Sequence, residues 1–194
     1  MSEAEILSFL DRADARGATA ALLRLYGGEV YGYVCALAKN RDQADEAFAQ
    51  ASEQVLSSIA GFRRESSLRT WFYTVARHAT LRELSGASRR RADRLSLIQD
   101  ELAEALRTAT LAWQETRVKD KISELRESLS KEERELIALR VDRQLSWEAI
   151  AAICSDEGVD REKSDLKKAA ARCRKQFERA KDKLRELARG AGLI

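Results

Sequence analysis

The sequence predicts an all-α protein of two small helical domains joined by a partly helical linker, and three observations predict it. The 194 residues contain no proline, the residue that most often breaks or ends a helix. Apolar side chains recur at helical spacing along most of the chain. Finally, glycine and serine clusters, rather than prolines, punctuate these periodic stretches.

Taken in order, Leu22/Leu23, Tyr26, Val30, Tyr33/Val34 and Leu37 define a first helix. Gly27-Gly28 sits inside it and weakens it, as a kink or a close helix contact. Ala44, Phe48, Ala51, Val55 and Ile59 form a second apolar stripe, from about Asp42 to Ala60. Residues 61–67 read as a loop, with Ser66 or Ser67 as the cap of a third helix. That helix turns Leu68, Trp71/Phe72, Val75 and Ala79 inward. Ser85 to Ser88 and the arginine run 89–91 end it, which makes this the best domain boundary. The expected layout is a domain over 1–85, a linker over 86–114 and a second domain over 115–194. In the second, Val118, Ile122, Leu125 and Leu129 mark a helix. Ser130 and Glu133 form a capping box that starts the next, running to about Arg143. A short helix follows from Ser146 to near Cys154, then a turn over 155–158. The last helix spans about 161–189, with Leu166, Ala170, Cys173, Phe177, Ala180, Leu184 and Leu187 on its apolar side.

Several functions are disfavoured. Cys35, Cys154 and Cys173 are dispersed and odd in number, which argues against a disulfide framework or a metal site. With His78 the one histidine, a nucleophile pair is improbable, and no glycine loop for phosphates occurs. An enzyme is therefore not expected, nor a cofactor. The first nine residues are acidic and lack the basic flank and apolar core of a secretory leader. No apolar run approaches the ~18 residues of a membrane helix. The expected location is cytoplasmic, at the nucleoid, with no membrane insertion.

The near-neutral total of +3 hides segregation, because residues 61–94 carry a net +6 and residues 161–194 a net +7, with acidic stretches before and between. Two basic blocks point to two contacts with a polyanion. The second block follows a helix-turn-helix pattern whose last helix can enter a major groove. There arginines can bond guanine edges and lysines neutralise phosphates. The first block interleaves Phe62, Arg63, Arg64, Arg69, Trp71, Phe72, Tyr73, Arg77, His78 and Arg82. Aromatics beside cations suit unstacked bases and their phosphates. The hydroxyls of Ser66, Ser67 and Thr70 can read a base edge, and Glu65 can accept from an exocyclic amine. The competing reading places Phe72 in the core, and Trp71 with nearly equal weight.

Residues 61–78 resemble the promoter −10 region of the extracytoplasmic-function sigma factors, the small bacterial type. Ala44 to Gln50 resembles that family's acidic helix for the clamp of RNA polymerase. Leu129 to Val141, Leu145 to Ala151 and Phe177 to Leu187 resemble its −35-binding helix-turn-helix. Together the resemblance covers roughly residues 18–85 and 115–190. It implies a sigma factor that directs core RNA polymerase, through its clamp and flap regions, to promoters and helps melt the −10 element. Asp45, Glu46, Gln50, Glu53 and Gln54 would contact polymerase. Phe62, Arg63, Glu65, Ser66, Ser67, Arg69, Thr70, Trp71, Arg77, His78 and Arg82 would hold the −10 single strand. Lys167, Lys168, Arg172, Arg174, Lys175, Gln176 and Arg179 would meet the −35 duplex. The linker would thread near the active cleft, and an anti-sigma factor is an implied partner.

The chain departs from the family pattern in two places. Gln50 and Ser52 replace the usual acidic and aromatic residues, which motivates the alternative of a helix-turn-helix regulator that does not dock on polymerase. About ten residues beyond the family's usual turn separate Cys154 from Arg174. Aligned from Phe177, the base contacts are Arg172, Arg174, Lys175 and Gln176, the preferred register. Aligned from Trp147, they fall nearer Lys163, Ser164, Lys167 and Lys168, and an extended helix using both sets is the third arrangement.

Overall fold

The computed structural model describes residues 2–86, 125–155 and 163–191, and these are helical with short connections and no strand. The chain divides into two compact units, 1–116 and 117–194. The linker expected over 86–114 lies, apart from Gly86, outside the described residues, as do Val118, Ile122 and residues 156–162.

The first unit holds four helices: α1 (Glu3–Asp11), α2 (Ala15–Leu37), α3 (Arg41–Ser58) and α4 (Leu68–Leu84). Helix α1 is absent from the sequence reading above. Its start is nonetheless encoded, because Ser2 donates its amide to Glu5 Oε2 at 2.7 Å in a capping box. Ile6 of α1 is fully buried, and α1 packs on α2. The approach is so close that a Cβ on Gly17 would sit 2.5 Å from the Phe9 ring, which only glycine avoids. Asp14 caps α2, accepting from the Gly17 amide at 2.8 Å. Helix α2 runs unbroken through Gly27-Gly28, with Gly27 buried. Asn40 caps α3 through the Gln43 amide at 2.9 Å. A single 3₁₀ turn, Ile59–Gly61, ends it.

Helices α2, α3 and α4 pack on one another around aromatic rings. Phe48 of α3 meets Tyr31 edge-on, centroids 5.3 Å apart, and Phe72 at 6.3 Å. Tyr33 meets Tyr73 at 5.2 Å. Each of these rings is at most 1% exposed, so they are the centre of this core and dominate its burial energy.

In the second unit, residues 125–127 are helical, then α5 spans Lys131–Ile137, α6 Trp147–Cys154 and α7 Lys163–Gly190. The predicted capping box starts α5: Ser130 donates its amide to Glu133 Oε2 at 2.7 Å and accepts the Glu133 amide at 3.2 Å. The end of this helix differs from a plain α-helix, because Ala138–Asp142 widens into a π turn. Behind it Gln144 takes a left-handed backbone (φ 54°), and Arg140 donates to the Leu145 carbonyl at 2.7 Å. Ser146 then caps α6 through the Ala149 amide at 3.1 Å. Helices α5 and α6 both pack on α7. Leu136, Leu139, Ile150 and Ile153 are buried, as is the side of α7 formed by Ala170, Cys173, Phe177 and Ala180.

Candidate nucleic-acid interface

The loop 61–67 and the start of α4 are built by local capping. Ser67 accepts the Thr70 amide at 3.0 Å and donates to the Thr70 hydroxyl at 2.9 Å. Ser67 is thus the cap, and Ser66 lies just outside, its hydroxyl on the Ser67 carbonyl at 3.3 Å. In the loop Arg64 adopts a left-handed backbone, φ 60°. Arg63 and Glu65 are exposed and face each other at 3.4 Å.

Two of the aromatics singled out by sequence meet here. Phe62 and Trp71 are half-buried and pack at 5.6 Å, so Trp71 covers the loop rather than entering the core. Tyr73 is 0% exposed, so its face cannot take a base. Thr70 is 7% exposed and its hydroxyl accepts from Ser67, so in this structure it serves the cap. Helical spacing puts Trp71, His78 and Arg82 on one side of α4, where His78 is half-buried and Arg82 exposed. Arg77, also half-buried, lies next to that side.

The cations of this surface are engaged by the unit itself. Arg69 forks onto Glu29 of α2, Nε to Oε1 at 2.7 Å and Nη2 to Oε2 at 3.0 Å. That bond to Glu29 raises the arginine's pKa above its ordinary value despite partial burial. Arg64 pairs with Asp11 of α1, and Arg82 donates to Gln54 of α3. Glu3 of α1 accepts the Arg69 amide at 3.2 Å, adding a second acceptor to the start of α4, and the Tyr26 hydroxyl at 2.9 Å. Burial first and the Glu3 bond second push the Tyr26 phenol up to about 12, which keeps it a neutral donor.

On α3, Asp45 is exposed and Glu46, Gln50, Glu53 and Gln54 are half-buried. Gln50 bridges Glu46 at 2.8 Å and Glu83 of α4 at 3.1 Å. Asp45 accepts from Tyr31 and lies 3.7 Å from Arg41. Ser52 is fully buried and donates to the Phe48 carbonyl at 2.8 Å. It stands one turn after Phe48, in the buried stripe and about 200° around the helix from Gln50. The position that motivated the non-docking alternative is therefore a core position, and half of that motive falls away.

On α7 the predicted basic stripe is exposed over Lys167, Lys168, Arg172, Arg174, Lys175, Gln176 and Arg179. Residues 172, 175, 176 and 179 follow the i, i+3, i+4, i+7 spacing of one helix face. The cations Arg172, Lys175 and Arg179 make no ion pair with another described residue. Lys168 faces Asp165 at 3.4 Å, and Lys183 reaches Glu133 at 3.1 Å. Helix α7 is continuous from Lys163, so both alternative registers fall on one helix. The side chains of Lys163 and Ser164 lie outside the described residues.

The sequence reading missed the acidic partners of the first surface, Glu3, Asp11 and Glu29. The Ser2–Glu5 box could have flagged α1, but the distance in sequence between Glu29 and Arg69 leaves no local signal.

Fold and site together define a helical protein that carries cations and aromatics on a capped loop and helix, with a second basic helix in a separate unit. Residues 22–90 match the family model of sigma-70 region 2, which covers α2 from Leu22, α3 and α4. These 69 of the 194 residues are thus similar to the region of the sigma-70 factors of RNA polymerase that binds the −10 element. No curated protein and no solved structure matches it. Among the described residues, no helix is long and apolar enough to cross a membrane.

Proposed function

We propose that this chain is an extracytoplasmic-function sigma factor that selects promoters through two separate readings of DNA. The observation that carries this is the region 2 match lying over α2, α3 and α4. In this reading α3 presents Asp45, Glu46, Gln50, Glu53 and Gln54 to the polymerase clamp. The loop 61–67 receives a base pulled from the −10 duplex. Unstacking costs a few kcal/mol, which a fitted pocket offsets. Phe62 and Trp71 offer π faces, Glu65 and Ser66 polar edges, and Arg63, Arg69, Arg77, His78 and Arg82 the backbone contacts. The exposed face of α7 reads the −35 duplex, arginines on guanine edges and lysines on phosphates. The register from Phe177 is favoured, because Arg172, Arg174, Lys175 and Gln176 are all exposed on α7. Lys167 and Lys168 extend the same helix toward the backbone. The chain supplies no catalytic group of its own, and phosphodiester chemistry belongs to the polymerase. A cytoplasmic setting and an anti-sigma partner belong to the same reading.

The test is transcription in vitro. Purified chain and core polymerase, offered a promoter library, should give transcripts that start a fixed distance after a shared pair of elements. Failure to bind core polymerase would overturn the proposal.

A further inference from the structure

Trp147 opens α6 and joins the turn before it to α7. Its ring meets Phe177 of α7 edge-on, centroids 5.3 Å apart at 66°. The Arg140 guanidinium lies over the ring at 4.9 Å, and that of Arg174 at 5.8 Å. Arg140 is itself fixed, donating to the Leu145 carbonyl at 2.7 Å. Arg174 is exposed and makes no ion pair with a described residue.

A guanidinium can be restrained in two ways. A carboxylate restrains it by taking its edge N–H donors, as Glu29 does with Arg69. An aromatic face restrains it through the π surface and leaves those in-plane donors unused. Those same donors match the O6 and N7 acceptors of guanine. A long arginine also loses less rotamer freedom on binding if it is already held. The Trp147 ring therefore orders Arg174 without consuming what Arg174 needs for reading.

We propose that Trp147 is a positioning residue for DNA reading, holding Arg174 over its ring so that the guanidinium reaches a base edge pre-ordered. The inference rests on α7 reading duplex DNA in the register that starts at Arg172.

The experiment is a double-mutant cycle on the full chain. The probe is a duplex selected from a randomised pool by the wild-type protein. Binding is measured for wild type, W147F, W147L, R174A and W147L/R174A, with R172A and W147L/R172A as the control pair. W147L should weaken binding about two- to fivefold, the size of a partly exposed cation–π contact. W147F, which keeps a weaker π face, should lose less and guards against a folding defect. In the R174A background W147L should have no further effect, whereas with R172A the losses should multiply. If the W147L and R174A losses also multiply, Trp147 only packs, and the inference falls alone. If R174A binds like wild type, or no duplex is selected, the reading of α7 falls and takes the inference with it.

Discussion

The two basic blocks of the sequence carry nearly the same formal charge, +6 over residues 61–94 and +7 over residues 161–194, and their described cations differ in what they are doing. In the first unit Arg64 is paired with Asp11, Arg69 with Glu29 and Arg82 with Gln54. On α7, Arg172, Lys175 and Arg179 stand exposed with no ion pair among the described residues. A cation already on a carboxylate must exchange one partner for another to bind a phosphate. A solvated cation only releases water and counterions. Similar formal charge should therefore give unequal affinity for a polyanion. The open surface suits diffusional capture of duplex DNA, and the engaged one suits a contact made late, after a strand has been brought near.

The first unit carries its surface on the aromatic core beneath. Phe48→Ala, which empties the centre of the ring cluster, should cost about 3–5 kcal/mol in urea unfolding. A loss below about 1 kcal/mol would mean the rings do not organise this unit. The next largest effect belongs to the open surface. Arg172→Ala should cost about 1–3 kcal/mol at one base pair of the −35 duplex. Lys167→Ala should weaken all sequences alike and lower the salt slope by about 1. Unchanged selectivity in Arg172→Ala would break the register.

The cap beneath α7 gives a smaller effect with a defined pH window. Ser130→Ala should cost about 1 kcal/mol. The Ser130 amide first, and the Lys183 ammonium with it, hold the Glu133 carboxyl below its ordinary value of 4.5. The folded state therefore takes up that proton less readily than the unfolded chain. Its stabilisation is complete above the ordinary value and is lost as pH falls through the lowered one. Glu133→Gln should flatten that part of the acid unfolding curve, and an unaltered acid limb would show the box carries no charge-dependent stability.

The smallest effect concerns the pair between Arg69 and Glu29. Glu29→Gln keeps an acceptor for Arg69 but removes the charge. Single-stranded DNA should then bind about two- to fivefold tighter at low salt, the size of one half-exposed ion pair. Fluorescence anisotropy that finds no gain would show that the internal pairs do not compete with DNA.

Much of this was legible in the sequence because it is local. Ser130 and Ser146 proved to be caps, and Ser67 is the cap of the two serines considered. The apolar stripes of α2, α3 and α7 are buried along the predicted positions, apart from half-burial where α2 carries Tyr26 and at the two ends of the α7 stripe. What escaped depends on neighbours from elsewhere. Trp71 and Tyr73 are similar residues two apart, yet one covers a loop and the other fills the core. Ser52 counted as a departure in the polymerase-docking helix, while its place one turn after Phe48 makes it internal. The π turn at Ala138–Asp142 has no periodic signature in five residues.

The sequence by itself determined the helical class, the helix starts and the basic face of α7, since hydroxyl caps and helical spacing act within a turn or two of the chain. Tertiary structure alone decided the pairs made between helices. Arg69 and Glu29 are forty residues apart. Their pairing exists only because α2 and α4 lie side by side. The distance between two such charges is set by packing, and the energy of a charge pair depends on that distance rather than on sequence separation.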